Sequence, residues 1–240
     1  MPKPKFEGTC ALCGNEGQLC KSHILPEFLH EPCYDEKHRL KTVTSSSARF
    51  NQHGIKTPLL CLACEGKLNR HETYVADLTR QIRDDTTEAG GIIRISDFDY
   101  KAIKLFGISL LWRCAVSNLE EFDNVRLGPH EAKMHGMLLN EDPGLPEQYA
   151  MSLVKLSGSL MAGRTVSPPT PGRKEGGMMA YRMIAMGIDW ELTVSKHFAL
   201  GNFPEARPLY VGMSKELLVP VYQQDDATFV KRFWPSELRV

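Results

Sequence analysis

The sequence predicts an α+β protein in which a small metal-organised unit precedes a larger region of helices and strands. Three observations lead to this prediction: two Cys-x-x-Cys pairs near the N-terminus, a long apolar segment near the middle, and strand-like runs in the second half. The chain has 240 residues, of which 42% are apolar, so it can bury one or two hydrophobic cores without disulfide bonds. A Gly-Gly pair at 90–91 marks a boundary, which gives domains at residues 1–88 and 89–240.

The two Cys-x-x-Cys pairs, Cys10/Cys13 and Cys61/Cys64, predict a single structural zinc ion. Thiolates are soft ligands that suit Zn²⁺, and four of them complete a tetrahedral site with no open position. A redox dithiol is the alternative, because Cys-x-x-Cys also serves thiol exchange. The three remaining cysteines are interpreted as buried apolar side chains: Cys20, Cys33 and Cys114.

The segment that follows the second pair has helical periodicity. Its apolar residues recur at intervals of three, four and seven, which predicts a helix from Leu62 to about Asp84. Glu65, Asn69 and Glu72 follow the i, i+4, i+7 rule and therefore line up on a neighbouring polar face. His71 falls on the apolar stripe, so we interpret it as a packed side chain rather than a ligand. Before this helix, the β-branched run at 41–44 predicts a strand and the serines at 45–47 a loop.

The second domain is predicted to build its core around an apolar helix. Residues 92–95 predict a short strand, and Ser96-Asp97 offers an N-cap for a central helix from about Phe98 to Ser117. Another helix is predicted from Pro129 to Leu139, and the proline-rich residues 167–172 predict an exposed loop. Strand-like runs predict an antiparallel sheet packed on these helices, at 152–156, 181–187 and 190–195.

The overall charge is balanced, but one segment is basic. Lysine plus arginine equals aspartate plus glutamate, 29 against 29, so no global field draws the protein to nucleic acid or to an anionic membrane. From Lys37 to Cys64 there is no acidic residue, and Arg39, Lys41 and Lys56 lie within this segment. It is either a strip that contacts phosphates or a solvated polar loop.

No segment has the pattern of an export signal or a membrane span. The N-terminus lacks an apolar run, and the longest apolar stretch, at 103–116, is too short for a bilayer and contains two basic residues. We therefore expect a cytoplasmic protein with no membrane partner.

The first third of the chain resembles a known family. A Cys-x-x-Cys pair, the Ser-His-Ile-x-Pro segment at 22–26, and Leu-Cys-x-x-Cys opening a helix are similar to the zinc-stabilised HNH endonucleases, also called His-Me finger or ββα-metal nucleases. Together with a downstream Leu-Trp-Arg at 111–113, the pattern also resembles a group of uncharacterised bacterial HNH-like proteins. The resemblance implies a treble-clef, ββα-metal fold for residues 1–88.

In that family a histidine is the general base that activates water for attack on a phosphodiester, and a divalent ion stabilises the developing charge. The resemblance therefore implies that His23 is the base and that Glu65 helps to hold a catalytic Mg²⁺ or Mn²⁺. Asn69, one turn further on, is expected to assist. Glu72 is expected to orient a base or to pair with a cation such as Lys56.

Three positions depart from the family pattern. Many members have a metal ligand where this chain has Ser22, and many have histidine or asparagine where it has Glu65. The asparagine expected shortly before the second Cys-x-x-Cys pair is missing, with Lys56 near that point. A carboxylate is a harder ligand for Mg²⁺ than an imidazole, so Glu65 is a chemically sound replacement.

The expected function is a metal-dependent nuclease whose partner is nucleic acid, DNA ahead of RNA. Its phosphate contacts would come from Arg39, Lys41 and Lys56, which give affinity without reading sequence. The second domain would regulate, oligomerise or sense an activating partner, and a bacterial defence or toxin role rests on analogy. Two alternatives stay open: a non-catalytic zinc module that binds nucleic acid or protein, and a structural or regulatory protein whose second domain carries the function.

Overall fold

The computed structural model describes residues 6–37, 39–43, 48–51, 54–173, 178–194 and 204–225. Its helices are α1 (Glu27–His30), α2 (Leu62–Asp84), α3 (Tyr100–Val116), α4 (Pro129–Asn140) and α5 (Leu160–Gly163). Its strands are β1 (Phe6–Thr9), β2 (Glu16–His23), β3 (Leu40–Val43), β4 (Ala48–Asn51), β5 (Lys56–Cys61), β6 (Ile92–Ile95), β7 (Met151–Ser157), β8 (Thr170–Arg173), β9 (Met179–Ala185), β10 (Ile188–Thr193) and β11 (Leu217–Gln223). The protein is therefore a mixed α+β structure.

The first sheet is antiparallel, with the strand order β1-β2-β5. The first cysteine pair lies in the turn between β1 and β2, where Gly14 has a φ of 73° and donates its N–H to the Cys10 carbonyl over 2.9 Å. That left-handed conformation favours glycine. The register of β2 and β5 sets Leu19 opposite Cys61 and His23 opposite Lys56. The sheet therefore brings the first cysteine pair to one end of β5 and His23 to the other.

Helix α2 begins directly after β5 and carries the second cysteine pair into its first turn. It spans Leu62–Asp84, as its periodicity predicts, and the apolar stripe Leu68, Val75, Leu78 and Ile82 is buried. The strand predicted at 41–44 corresponds to β3, which pairs with β4. The loop predicted at 45–47 lies outside the described residues.

Helix α3 starts later than predicted. The N-cap is Asp99, whose carboxylate accepts the Ala102 N–H over 2.9 Å, and not Ser96-Asp97. Asp97 adopts a φ of 55°, so the chain still turns there before it enters the helix. The helix packs against α2 and α4 and is buried along most of its length, including Lys104 and Arg113.

The second sheet has the strand order β6-β11-β7-β10-β9-β8. The predicted antiparallel pairing is confirmed for the three predicted runs, which correspond to β7, β9 and β10, whereas β11, which was not predicted, is parallel to β7. The run predicted at 181–187 ends as a strand at Ala185, because Met186 and Gly187 have positive φ values and form the hairpin turn to β10. The exposed loop predicted at 167–172 overlaps the edge strand β8, where Pro171 is tolerated because an edge strand leaves backbone groups unpaired.

One continuous hydrophobic core joins the two sheets. Leu12 and Leu60 from the first sheet, Phe106 from α3 and Trp190 from the second sheet belong to the same cluster of buried side chains. The ring centroids of Phe106 and Trp190 are 5.6 Å apart. The division into two domains stays a prediction. Over the described part of the chain, no helix combines the length and hydrophobicity needed to cross a bilayer.

Candidate functional site

The four cysteines of the two Cys-x-x-Cys pairs converge where β1, β2 and β5 meet the start of α2. Their sulfur atoms all lie within 4.8 Å of one another, and the Sγ atoms of Cys13 and Cys61 are 3.8 Å apart. A tetrahedron with Zn–S bonds of about 2.3 Å has edges of about 3.8 Å, so the spacing suits a tetrathiolate centre. The cluster can hold a metal ion such as zinc.

The local backbone favours the thiolate form at Cys10. Burial raises the pKa of Cys10, but backbone N–H groups at Cys13, Cys61 and Leu12 outweigh this effect and bring the pKa down to about 7. The Cys61 N–H donates to Cys10 Sγ over 3.3 Å. The thiolate is the metal-binding form of cysteine, so this turn is prepared for a cation.

Helices α3 and α4 support the first cysteine pair from outside. His135 Nε2 lies 2.8 Å from the Leu12 carbonyl oxygen, and the ring of His135 lies against the ring of Trp112, with centroids 5.8 Å apart. Leu12 itself is fully buried. The second half of the chain therefore contributes to the shape of the metal centre, which the sequence pattern did not indicate.

Ser22 and His23 form the last two residues of β2. Ser22 is buried, and its Oγ accepts the Leu60 N–H over 3.2 Å, which ties β2 to β5. The side chain of His23 is 27% exposed, and its Nε2 lies 2.5 Å from Glu27 Oε2. Burial and the charge of Lys56 lower the pKa of His23 below its ordinary value of 6.5, against the opposing effect of Glu27. His23 is therefore neutral at pH 7 and can accept a proton.

Glu27 is the first residue of α1 and was not among the predicted site residues. Its Oε1 accepts a hydrogen bond from the hydroxyl of Tyr34, while its Oε2 faces His23. Burial raises the pKa of Glu27, but Tyr34 and His23 outweigh it and lower the pKa overall. The spacing of four residues between His23 and Glu27, across Pro26, was the signal that could have found this pair.

Arg113 of α3 connects the histidine segment to α2. The guanidinium is 1% exposed; its Nη1 donates to the His23 carbonyl over 2.8 Å, and its Nη2 lies 2.7 Å from Glu72 Oε1. The cation that pairs with Glu72 is therefore Arg113, and not Lys56 as the sequence suggested. Arg113 had been noted only as part of a helix motif, because its partners are distant in the sequence.

Glu65 occupies the first turn of α2, directly after Cys64. Burial raises the pKa of Glu65 and the charge of Glu72 adds to this, while the Ser22 hydroxyl and Arg113 act in the opposite direction. Its Oε1 is buried and has no hydrogen-bond partner among the residues that the structure describes. A buried carboxylate oxygen without a donor is a natural position for a cation.

The other predicted site residues lie further from this centre. Asn69 is exposed on α2, and its assisting role stays a prediction. Arg39 is held by Asp35, with its Nε and Nη2 2.9 and 2.8 Å from Asp35 Oδ2. Lys41 lies in β3, and its side chain is outside the described residues. Lys56 is cross-strand from His23. Phosphate binding by these three cations stays a prediction.

No protein-family model, curated protein or solved structure matches this chain. Function is therefore inferred from the chemistry of His23, Glu65 and the residues in contact with each of them.

The buried His30 makes stability depend on pH. Burial lowers the pKa of His30 to about 4, and its Nε2 is buried without a hydrogen-bond partner among the described residues. The charges of Glu27 and His23 act on it in opposite directions. In the unfolded chain a histidine binds a proton near pH 6.5, so a pH below this value favours unfolding. The contribution of His30 to the free energy of unfolding is therefore fully present above pH 6.5 and is lost as the pH falls towards 4.

We therefore expect the free energy of unfolding to fall by about 2 kcal/mol between pH 7 and pH 5 through His30 alone. Urea unfolding at both pH values measures it. The His30→Leu protein should lose less stability over this interval than the wild type, since contributions from other groups are common to both. An identical loss in the two proteins would contradict the assignment.

Proposed function

We propose that this protein is a metal-dependent nuclease of the HNH type that hydrolyses phosphodiester bonds in nucleic acid. The observation that carries the proposal is that the charge of Glu72 acts both on His23, whose pKa is lowered, and on Glu65, whose Oε1 is buried without a hydrogen-bond partner among the described residues. Arg113 connects the two elements, because its guanidinium donates to the His23 carbonyl and pairs with Glu72. A candidate general base and a candidate cation ligand are therefore both neighbours of Glu72.

The order of elements supports a ββα-metal, treble-clef assignment for residues 1–88. Strands β2 and β5 are antiparallel neighbours, α2 follows β5 directly, and the four-cysteine cluster fixes the junction of strand and helix. In this assignment the zinc site is closed and structural, and the chemistry takes place at His23. The buried helix α3 acts as the central helix of the following domain.

The proposed reaction is a hydrolysis in which His23 takes a proton from water. The water oxygen attacks phosphorus, the bond from phosphorus to the leaving oxygen breaks, and the leaving oxygen takes a proton from solvent. A divalent ion such as Mg²⁺ or Mn²⁺, when held by Glu65, supplies charge stabilisation at the phosphate and at the leaving oxygen. Lys56, beside His23, is suited to a phosphate contact without sequence preference.

A second candidate is a zinc module that binds nucleic acid or a protein without cleavage. The observation in its favour concerns Ser22, which occupies the position where many HNH nucleases have a metal ligand. Its buried Oγ already accepts the Leu60 N–H. The catalytic ion would then have fewer protein ligands than in those nucleases.

Incubation of the full chain with plasmid DNA or RNA, with Mg²⁺ or Mn²⁺ present, tests the proposal. We expect the wild type to cleave, and His23→Ala to lower the rate about 10²- to 10⁴-fold because the general base is removed. Glu65→Ala should lose cleavage through weaker ion binding. His71→Ala is the matched control and should retain the rate, because it removes a histidine of the helix that carries Glu65, and the neighbour of that histidine is Glu141 of the α4 C-cap.

Two results would contradict the nuclease. Undiminished cleavage by both the His23→Ala and Glu65→Ala proteins would place the activity elsewhere. Binding of nucleic acid by the wild type without cleavage in either metal would favour the non-catalytic module. The proposal includes activation by a partner or by self-association through the second domain. The assay is therefore carried out over a range of nucleic acid and protein concentrations.

A further inference from the structure

Glu27 closes one side of the His23 ring. Its Oε2 lies 2.5 Å from His23 Nε2 in an ion-pair contact that does not have hydrogen-bond geometry, and its Oε1 accepts the Tyr34 hydroxyl. Tyr34 follows the 3₁₀ turn Glu31–Cys33 that continues from α1. The three side chains therefore form a chain of contacts from Tyr34 through Glu27 to His23.

This contact favours the proton on one of the two nitrogens of His23. A neutral imidazole has one N–H and one lone pair, and a carboxylate oxygen at this distance is attractive only when the proton is on Nε2. Tyr34 donates to Glu27, which favours the ionised carboxylate over the acid. The lone pair of His23 is then on Nδ1, on the side of the ring away from Glu27.

The other charged and titratable groups around His23 cannot replace Glu27. Lys56 carries a positive charge, and His30 is a second imidazole, near enough to His23 that a Cβ at Gly54 would meet both rings. Glu72 acts on His23 only through its charge and contacts Arg113 directly. Arg113 reaches the backbone carbonyl of His23 rather than its ring. Among the described residues, Glu27 is the acid in contact with the imidazole.

We propose that Glu27 is the positioning residue for the general base His23: it holds the proton on Nε2, leaves Nδ1 as the base and stabilises the imidazolium that forms during hydrolysis. The role in hydrolysis rests on the nuclease proposed above. In the step itself, a proton passes from water to Nδ1, His23 becomes positively charged, and Glu27 remains an unprotonated carboxylate. Tyr34 holds Glu27 in place from behind.

The tautomer can be measured directly in the full chain, without any activity, by ¹H–¹⁵N correlation spectra of the histidine side chains. His23 of the wild type should show a protonated Nε2 and an unprotonated Nδ1 above its midpoint of titration. In Glu27→Gln the midpoint should fall by about 1 pH unit, because the negative charge that favours the imidazolium is gone. In Glu27→Ala, Nε2 should lose its preference for the proton.

A matched control separates positioning from a general effect on the segment. Glu31→Gln makes the same change of charge four residues away, where the side chain faces Arg80 and not His23, so it should leave the His23 midpoint and tautomer unchanged. Tyr34→Phe keeps the contact between Glu27 and His23 and should cause a smaller fall of the midpoint than Glu27→Gln. Circular dichroism of each variant establishes that it is folded.

Cleavage assays add the catalytic consequence. The rate of Glu27→Gln should be at least about tenfold below that of the wild type at pH 7, with the acid limb of its pH profile moved to lower pH. A proton on Nδ1 in the wild type, or an unchanged His23 midpoint in folded Glu27→Gln, would overturn the proposal. A wild type that cleaves nothing would remove the nuclease, while the tautomer would still decide whether Glu27 positions His23.

Discussion

Loss of the metal from the four-cysteine cluster is expected to unfold the first part of the protein. The sheet β1-β2-β5 has short strands, and the Cys10 and Cys64 thiols are buried where these strands meet α2. Structural zinc sites supply about 10–16 kcal/mol of apparent binding free energy in small zinc-folded units, which is comparable with the whole stability of a domain. Four thiols without a cation, two of them buried, cannot replace that contribution.

Metal analysis and thermal unfolding measure this effect. We expect one zinc ion per wild-type chain, a large fall of the unfolding temperature in excess chelator, and recovery when zinc is returned. Cys64→Ser should lose both the stoichiometric zinc and the cooperative transition.

The matched control is Cys20→Ser, since Cys20 lies close enough to the charges of Cys10 and Cys61 to feel them but is not part of the cluster. It should keep the zinc and the transition. A Cys64→Ser protein that retains one zinc and the wild-type unfolding temperature would exclude the four-cysteine site. Isolation of metal-free protein with disulfide-bonded pairs would favour the redox alternative.

Short sequence patterns predict those elements that depend only on residues close together in the chain. The bounds of α2 follow from its repeating apolar positions, and the cysteine cluster follows from the spacing that a tetrahedral ion requires. The N-cap of α3 was misplaced because two aspartates compete within three residues, and only the backbone conformation of Asp97 distinguishes them. The strand β11 was not predicted, since Pro220 interrupts an otherwise continuous apolar run.

The candidate site was predicted only in part for a related reason. His23 and Glu65 stand in motifs, so their chemistry can be recognised from the order of residues. Arg113 is separated from His23 by 90 positions and from Glu72 by 41, as the sequence shows, and no local pattern links them. Glu27 has a hydrogen-bond donor in Tyr34, which comes next to it only when α1 and the following turn are folded.

Replacement of Arg113 by methionine is expected to cause the second large effect, a loss of about 3–5 kcal/mol in the free energy of unfolding. The methionine fills the space of the aliphatic part of the side chain but leaves the Glu72 carboxylate and the His23 carbonyl without their donor. A group that remains buried without its partner costs more than the interaction itself contributes.

Urea unfolding of three variants tests this account of Arg113. Arg94→Met breaks an ion pair with Glu216 at the surface, where the two side chains are 58% and 37% exposed, and should cost less than about 1 kcal/mol. Arg113→Lys keeps the charge but cannot bond the carbonyl and the carboxylate in the same fork, so it should fall between the other two. Equal losses in Arg113→Met and Arg94→Met would mean that Glu72 and the His23 carbonyl find other donors. Folded Arg113→Lys is also expected to lose cleavage, because a positive charge alone does not hold His23 in position. That result, together with the expected difference in stability, would show that the guanidinium of α3 positions the proposed base.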